Sequence, residues 1–318
     1  MLHSLRRLRV LTWHVHGNYL YYLTQTPHDF YLVTKPGNPS GYAGKTGALP
    51  WGGNVHEISV DDVPDQEFDV ILYQHKNHWE YDREHVLSAA QRRLPRVYVE
   101  HDPPQDNPFQ QSHWVDDPGT LLVHVTHFNQ LMWDCGVTPT RVIEHGVLVP
   151  AGVRYSGELE RGIVVVNHLA QRGRRLGADV FSEARTRVPL DLVGMDAQRL
   201  GGIGEIGNLD LAAFSAQYRF LFNPIRWTSL GLAVVEAMTI GMPIVGLATT
   251  ELATVIRNGE NGFIHTDLDA LVDAMLALLR NPGEARRLGE GARRTALERF
   301  HIDRFAQDWH DALQHVAA

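Results

Sequence analysis

The segment GLAVVEAMTIGMPIVG, residues 231–246, decides the fold of this chain. Residues 230–238 surround a single carboxylate, Glu236, with apolar side chains and predict a helix that packs against a sheet. Residues 243–246 form a short apolar run of the kind that builds buried strands. Helices that alternate with strands are typical of an α/β fold with a parallel sheet. We therefore expect the same alternation on both sides of this segment.

Short apolar strands alternate with helical segments through most of the chain. The glycine- and proline-rich stretch 36–53 interrupts this pattern and is expected to be an irregular loop that lines a cleft. The predicted strands are 8–13, 69–73, 96–100, 121–125 and 141–147 in the first half, and 163–166, 190–193, 219–223 and 243–246 in the second. The predicted helices are 19–23, 82–93, 129–133, 178–185, 209–216, 230–238, 268–280, 284–300 and 303–315.

The length of the chain predicts more than one domain. Its 318 residues exceed the ~250–300 residues at which a single hydrophobic core usually stops growing. Residues 149–162 are polar, contain proline and glycine and lack periodicity, so we place a linker there. The pattern predicts two doubly wound, Rossmann-like domains, 1–150 and 151–300. The remaining helix, 301–318, is expected to pack back on the N-terminal domain.

Composition and charge exclude several classes of protein. With 44% hydrophobic and 21% charged residues, the chain is of ordinary globular type. A net charge of -8 and a pI near 6.1 argue against a nucleic-acid binder, which usually has a pI above ~9. Cys135 is the single cysteine, which excludes intrachain disulfides and fits a reducing compartment.

The distribution of apolar and basic residues bears on membranes and anions. No run of ~20 apolar residues is present, so no membrane span is expected. The N-terminus is basic, with Arg6, Arg7 and Arg9, and no apolar signal core follows it. We therefore expect at most a peripheral association with membranes. The only lysines are Lys35, Lys45 and Lys76. Any anion site in the second half must therefore use arginine.

Four blocks of the second half follow one another in a fixed order: FNP at 222–224, GLAVVEAM at 231–238, GMPIV at 241–245 and NGENGF at 258–263. Together they resemble the retaining GT-B glycosyltransferases of group 1, the family-4-like bacterial enzymes. The resemblance implies two Rossmann-like domains facing a central cleft, with the acceptor on the N-terminal domain and the nucleotide-sugar donor on the C-terminal one. The first half resembles the family only around residues 100–102 and 142–147.

The resemblance assigns the donor site to the helix of Glu236 and the turn before it. Glu236 would accept hydrogen bonds from two ribose hydroxyls, with an ordinary surface glutamate as the alternative. Unpaired N–H groups at the start of the helix would face the pyrophosphate. Thr228 stands where the family has a second glutamate, so either donor recognition differs or activity is reduced. The predicted donor-binding residues are Glu236, Thr228, Ser229, Leu230, Gly231, Leu232 and Arg175.

An arginine cluster follows the first strand of the second domain, where the family carries an arginine and a lysine. Arg172, Arg174 or Arg175 would neutralise the diphosphate leaving group, because a guanidinium stays charged and grips phosphate with two hydrogen bonds. A solvated basic loop is the alternative. By resemblance His101, at a strand end, reaches the donor sugar, with a structural histidine as the alternative. We predict His101, Arg172 and Arg174 as catalytic residues.

The predicted acceptor-side residues follow the first strand and are His14, His16, Gly17 and Asn18. The two histidines alternate along the chain and point to opposite faces, so they do not readily share a metal ion. Two further histidine pairs, 75/78 and 124/127, lack cysteine or carboxylate partners for zinc. The family needs no metal for catalysis. Neither a metal nor another cofactor is therefore predicted.

The residues and the resemblance predict transfer of a hexose from a UDP- or GDP-sugar to an acceptor hydroxyl without a metal. Retention of configuration and a cytoplasmic location are implied by the resemblance alone. The acceptor is expected to be a carbohydrate, a lipid-linked sugar or a small molecule, and no nucleic-acid partner is expected. Two alternatives stay open. A catalytically degenerate GT-B protein would bind a nucleotide sugar or assist a partner, and a sugar-nucleotide epimerase would need acidic residues in the cleft.

Overall fold

The computed structural model describes residues 6–318, which form two compact units. The N-terminal unit comprises the chain up to Gly146 together with 302–318, and the second unit comprises 147–301. The chain therefore leaves the first unit, forms the second, and returns to the first with its last helix. Within residues 6–318 no helix combines the length and the apolar character needed to cross a bilayer.

A seven-stranded parallel sheet forms the centre of the N-terminal unit. Its strands are β1 (Arg9–Thr12), β2 (Asp29–Thr34), β3 (Val55–Ser59), β4 (Val70–Tyr73), β5 (Arg96–Glu100), β6 (Thr120–His124) and β7 (Thr140–Val142). Their order across the sheet is β3-β2-β1-β4-β5-β6-β7. The order reverses between β1 and β4, and open α/β sheets bind ligands at such a point, beyond the carboxyl ends of the strands.

The helices between these strands are short: α1 (Gly17–Leu23), α2 (Arg83–His85) and α3 (His127–Met132). The predicted helix 82–93 is wrong. The chain forms a π-helical turn at His78–Asp82, runs into α2 and leaves helical form. Gln91 accounts for the break, because its amide donates to the Val63 carbonyl at 2.6 Å and its side-chain oxygen accepts from the Ser88 N–H at 2.9 Å. These bonds fix a turn where a helix would have continued.

A five-stranded parallel sheet forms the centre of the second unit. Its strands are β8 (Leu159–Val165), β9 (Leu190–Val193), β10 (Tyr218–Asn223), β11 (Ile244–Leu247) and β12 (Gly262–His265). Their order is β12-β11-β10-β8-β9. Here the reversal lies between β8 and β10, so the loops after these two strands occupy the position where ligands bind.

The sequence pattern predicts five of the seven α-helices of the second unit. The seven are α4 (Leu169–Leu176), α5 (Ala178–Ala184), α6 (Asn208–Ser215), α7 (Leu232–Ile240), α8 (Leu252–Val255), α9 (Leu268–Arg280) and α10 (Pro282–Arg299). The pattern does not predict α4 and α8. The side chains of Asp267 and Asn281 cap α9 and α10 by accepting first-turn N–H groups. The predicted helices of this unit are confirmed to within two residues at each end. The expected linker 149–162 is too long, because β8 already begins at Leu159.

The last helix, α11 (Ile302–Ala317), completes the N-terminal unit. Phe305, Trp309 and Leu313 recur at helical spacing on one face and are fully buried. The Trp309 indole N–H donates to the Tyr19 hydroxyl at 3.1 Å, which ties α11 to α1. The N-terminal core therefore contains residues that are almost 300 positions apart in sequence.

Candidate functional site

Three loops meet at the reversal point of the second sheet. The N–H groups of Arg226, at 3.1 Å, and Trp227, at 3.2 Å, donate to the carbonyl of Arg175 and join the loop after β10 to α4. Two threonine hydroxyls of the loop after β11 donate to carbonyls of the β10 loop at 2.9 Å and 3.4 Å; they are Thr249 and Thr250. The structure thus brings the predicted arginine cluster and the predicted turn 228–232 into one region.

A glycine permits this close approach. Gly177, directly after α4, has a φ of 83° and faces the main chain of Pro224. A Cβ atom at this position would lie 1.9 Å from the Pro224 carbonyl oxygen. A side chain at position 177 would therefore separate the two loops as well as strain the backbone.

Arg174 shares a carboxylate with an arginine that the sequence pattern did not single out. Its guanidinium lies 2.5 Å from Asp179, while Arg226 holds the same carboxylate with two bonds of 2.6 Å and 2.8 Å. The hydrogen bond from Arg226, aided by the charge of Arg174, lowers the pKa of Asp179 to about 2. Asp179 therefore stays ionised and offsets part of the positive charge of this pair.

Arg172 and Arg175 lie outside that ion pair. Arg175 is partly buried, and within residues 6–318 its guanidinium makes no hydrogen bond or ion pair. Arg172 is exposed and precedes a break in α4 at Gly173, where φ is 57° and ψ is -136°. Since the Arg175 guanidinium has no partner among the described residues and that of Arg174 has one, Arg175 is better placed than Arg174 to bind an anion.

Helix α7 begins next to these arginines without a side-chain cap. Its N-cap residue is Gly231, which is extended and makes no side-chain hydrogen bond. The first-turn N–H groups of a helix have no acceptor within the helix and carry the positive end of its dipole. Ser229 and Leu230 are buried, whereas Thr228, Gly231 and Leu232 keep part of their surface accessible. This end of α7 therefore offers N–H donors to an anion.

Glu236 lies one turn into α7 and is partly buried. It lines a crevice between α6 and α7 together with apolar side chains such as Leu211 and Ile240. The crevice has a volume of only about 10 Å³, which barely admits one water molecule. This crevice alone therefore has no room for a ribose. The assignment of Glu236 to the ribose stays a prediction.

The reversal point of the N-terminal sheet gathers imidazole and amide groups. The rings of His16 and His101 lie 4.1 Å apart between centroids. The His101 Nε2–H donates to the Gln74 side-chain oxygen at 3.2 Å, and the Gln74 amide nitrogen donates to the Trp13 carbonyl at 3.3 Å. Because the Gln74 amide is oriented by Trp13, the proton of a neutral His101 resides on Nε2. Its Nδ1 atom is then a hydrogen-bond acceptor.

His101 carries no charge at neutral pH. Burial, reinforced by His16 and His145, holds the pKa of His101 well below its ordinary value. A neutral imidazole can accept a hydrogen bond from a hydroxyl group, but it offers no positive charge to a phosphate.

His14 lies beside Gly17, where an added Cβ atom would be 3.0 Å from the His14 Nε2 atom, and it also contacts the irregular segment 35–54. Its Nδ1 atom lies 2.6 Å from the carbonyl oxygen of Gly44, and its ring meets Trp51 edge to face at 5.7 Å between centroids. His14 therefore holds the irregular segment 35–54 in place. Gly17 and Asn18 lie in the first turn of α1. The structure brings His16 together with His101, and it brings His14 together with Gly17.

Sequence reasoning missed Gln74 and Arg226. Gln74 directly follows β4, and Arg226 comes three residues after the end of β10. A polar residue just after a buried strand was the signal available for both. Within the described part of the chain, no three His, Cys, Asp or Glu side chains are grouped as a metal site requires.

Comparison with known proteins finds a family match within the second unit. Residues 162–281 match the family described as Glycosyl transferases group 1. The MMP alpha-(1->4)-mannosyltransferase of Mycolicibacterium hassiacum is 37% identical over 207 residues, which are 58% of this chain and 50% of that protein. The trehalose synthase of Pyrococcus horikoshii is 32% identical over 83 residues, which are 26% of this chain and 20% of that protein. The chain thus spans half or less of the length of these relatives.

Solved structures resemble nearly the whole chain. The sucrose-phosphate synthase from Thermosynechococcus elongatus has a TM-score of 0.73 at 16% identity, covering 98% of this chain and 99% of that chain. Anabaena HepE in complex with UDP-glucose has a TM-score of 0.71 at 14% identity, covering 97% of this chain and 100% of that chain. At these identities the likeness is one of fold.

Proposed function

We propose a function from the premise that this chain belongs, through residues 162–281, to the group 1 glycosyl transferases and has the GT-B fold. The proposed reaction transfers a hexose from a UDP- or GDP-sugar to an acceptor hydroxyl, with retention of configuration and without a metal. The observation that carries the proposal is the meeting of the arginine cluster with the start of α7 at the reversal point of the second sheet. Guanidinium groups and helix N–H groups are suited to a diphosphate.

Within this proposal the protein stabilises the leaving group. Arg175 and Arg172 bind the diphosphate together with the N–H groups of α7, and Arg174 contributes charge at the edge of the site. The departing diphosphate takes the proton of the acceptor hydroxyl on the same face, so no protein base is required. Neutral His101 accepts a hydrogen bond from a hydroxyl of the donor sugar. Thr228 supplies a neutral hydroxyl where the resembled enzymes have a carboxylate.

The names of similar proteins support the choice of donor. Anabaena HepE is described in complex with UDP-glucose, and a Mycolicibacterium relative is described as a mannosyltransferase. UDP-sugars are therefore tested first, together with the GDP-sugars that the family resemblance also implies, and ADP- and TDP-sugars serve as comparisons.

A thermal-shift panel of these nucleotide sugars tests the donor site. A ligand that binds only the folded state raises stability by RT ln(1 + [L]/Kd), about 2.7 kcal/mol at a hundredfold excess over Kd. We expect one nucleotide class to raise the melting temperature of the wild type and of Glu290→Ala, an exposed control on α10. The shift should be smaller in Glu236→Ala. No shift with any nucleotide sugar would contradict the donor site.

Product analysis then separates the proposed reaction from its alternatives. We expect the nucleoside diphosphate to accumulate only when an acceptor is present, together with a glycosylated product. Binding without turnover over a broad acceptor screen would favour a degenerate binding protein, for which the neutral Thr228 is the supporting observation. A new nucleotide sugar formed without any acceptor would favour an epimerase.

A further inference from the structure

A cavity of about 580 Å³ opens in the N-terminal unit at the carboxyl ends of β2 and β3. Ligands of parallel sheets bind at carboxyl ends, and cavities of ~300–1,000 Å³ are typical of small-molecule sites. None of the residues assigned to the donor site or to the acceptor side lines this cavity. Its polar lining consists mainly of Lys35, Lys45, Glu57, Thr34, Thr46 and Ser59.

One wall of the cavity belongs to the segment 35–54, which contains no helix or strand. Connections longer than ~12–15 residues without secondary structure are uncommon in compact domains and are often functional. This segment is nevertheless well anchored. His14 contacts the Gly44 carbonyl at 2.6 Å, and the buried Tyr42 hydroxyl donates to the buried Asp82 carboxylate. The cavity is therefore a built feature of the fold.

Positive charge is concentrated in this cavity. Two of the three lysines of an otherwise acidic chain line it. The Lys35 ammonium group lies 3.7 Å from the centroid of the Tyr42 ring, and the Lys45 side chain is exposed. Neither ammonium group is within ion-pair distance of a carboxylate of residues 6–318. Both charges are thus available to an anion that enters the cavity.

Hydrogen-bonding groups for a polyol lie beside these charges. One oxygen of the Glu57 carboxylate accepts a hydrogen bond from the main-chain N–H of Lys45 at 2.6 Å. Its second oxygen can then accept a hydrogen bond from a hydroxyl group of a ligand. The Ser59 hydroxyl oxygen accepts the Asp61 N–H at 3.4 Å, so its own proton remains available for donation. A ligand that matches both features carries an anionic group and hydroxyl groups on one small skeleton.

We propose that this cavity binds an anionic sugar, a phosphate monoester or a sugar carboxylate, with Lys35 and Lys45 on the anion and Glu57 on a hydroxyl. Under the proposed transferase function, this ligand is the acceptor. That identification rests on the proposed function, whereas the binding itself does not. The acceptor class is thereby narrowed from any hydroxyl compound to an anionic sugar.

The small number of lysines makes a direct test possible. Reductive ¹³C-methylation keeps the charge of lysine and yields signals from Lys35, Lys45, Lys76 and the α-amino group alone. Single Lys→Arg variants assign the signals. The signal of each amine is then followed during titration with glucose 6-phosphate, glucuronate and glucose at constant ionic strength. The second unit contains no lysine, so these signals all originate in the N-terminal unit, and the titration is read without any nucleotide sugar present.

We expect the signals of Lys35 and Lys45 to move saturably with at least one anionic sugar, and the signal of Lys76 to stay in place. The sugar that moves these signals shows whether the site prefers a phosphate or a carboxylate. In Lys45→Gln the affinity read from Lys35 should fall about 10-fold or more, and in Lys76→Gln it should not change. Equal responses to glucose or to inorganic phosphate, equal movement of Lys76, or no saturable movement would overturn the proposal.

Discussion

The two sheets reverse their strand order at one point each, and the groups gathered at these points differ in charge. Between β8 and β10 the described side chains are guanidinium groups and the Asp179 carboxylate. Between β1 and β4 they are imidazoles and an amide, with His101 kept neutral by burial. The same topology therefore provides a place for an anion in one unit and a place for hydroxyl groups in the other. Topology determines where a site lies, and side chains determine what it binds.

The loops at the two points are also held in different ways. In the second unit, main-chain hydrogen bonds and the close contact of Gly177 with Pro224 hold them. In the N-terminal unit, side chains such as His14 and Gln74 bond to main-chain carbonyls. The first arrangement depends on backbone conformation, and the second depends on side-chain hydrogen bonds.

The largest expected effect concerns the charge of the second unit. Arg175→Ala should lower transferase turnover about 100–1000-fold, because removing one preorganised donor to a developing anion typically has this effect. Arg174→Ala should lower it less, since Asp179 already holds that side chain. Steady-state kinetics with a saturating donor measure both, and Arg286→Ala, exposed on α10, serves as the control. Equal losses in Arg174→Ala and Arg175→Ala would contradict the distinction drawn between them.

The next effect concerns the backbone contact of the second unit. Gly177→Ala should lower the free energy of unfolding by about 3 kcal/mol, through backbone strain together with the clash against Pro224. Gly259 has a similar φ of 79°, and a Cβ atom added there would meet no other atom within 4 Å, so Gly259→Ala isolates the strain at about 1 kcal/mol. Urea unfolding measures both variants. Equal losses would show that the loop contact contributes nothing.

The smallest expected effect is the loss of stability of the N-terminal unit in acid. Burial is the main cause that lowers the pKa of four of its histidines to about 3 or 4; they are His28, His78, His113 and His124. Between pH 6.5 and 4 the unfolded chain binds more protons at these groups, so stability is lost as the pH falls. Glu100 acts in the opposite direction, because burial raises its pKa to about 8. We expect a net loss of stability between pH 7 and 5.5, because these four histidines act in one direction and Glu100 acts in the other.

Tryptophan fluorescence measures this loss selectively. Six of the seven tryptophans belong to the N-terminal unit, and Trp227 belongs to the second. In Trp227→Phe the signal reports the N-terminal unit alone. A urea midpoint that is the same at pH 7 and pH 5.5 would show that the buried histidines do not control its stability.

Much of the second unit could be predicted from the sequence, because its signals are local. Its strands are continuous apolar runs, and α9 and α10 have capping residues at their first turns. Local signals were weaker for β2 and β3, which carry Asp29, Tyr31 and Glu57 among their apolar residues. These strands are defined by their pairing with β1 and with each other. Single-sequence patterns do not report such non-local pairing.

The candidate site shows the same division. The arginine cluster could be selected from charge and position alone. The pairing of both Arg174 and Arg226 with Asp179 could not be predicted. It depends on a contact between residues 47 positions apart in sequence. The alternation of His14 and His16 indicated opposite faces, but only the structure shows that one faces the 35–54 segment and the other His101.

The return of the chain with α11 has a consequence for biosynthesis. Trp309 and Tyr19 lie in one core, yet the ribosome makes Trp309 only after all of residues 147–301. Domains generally fold as units during synthesis. The second unit can thus finish folding on the ribosome, whereas the first-made sheet must wait, with the surface that α11 covers still open to chaperones.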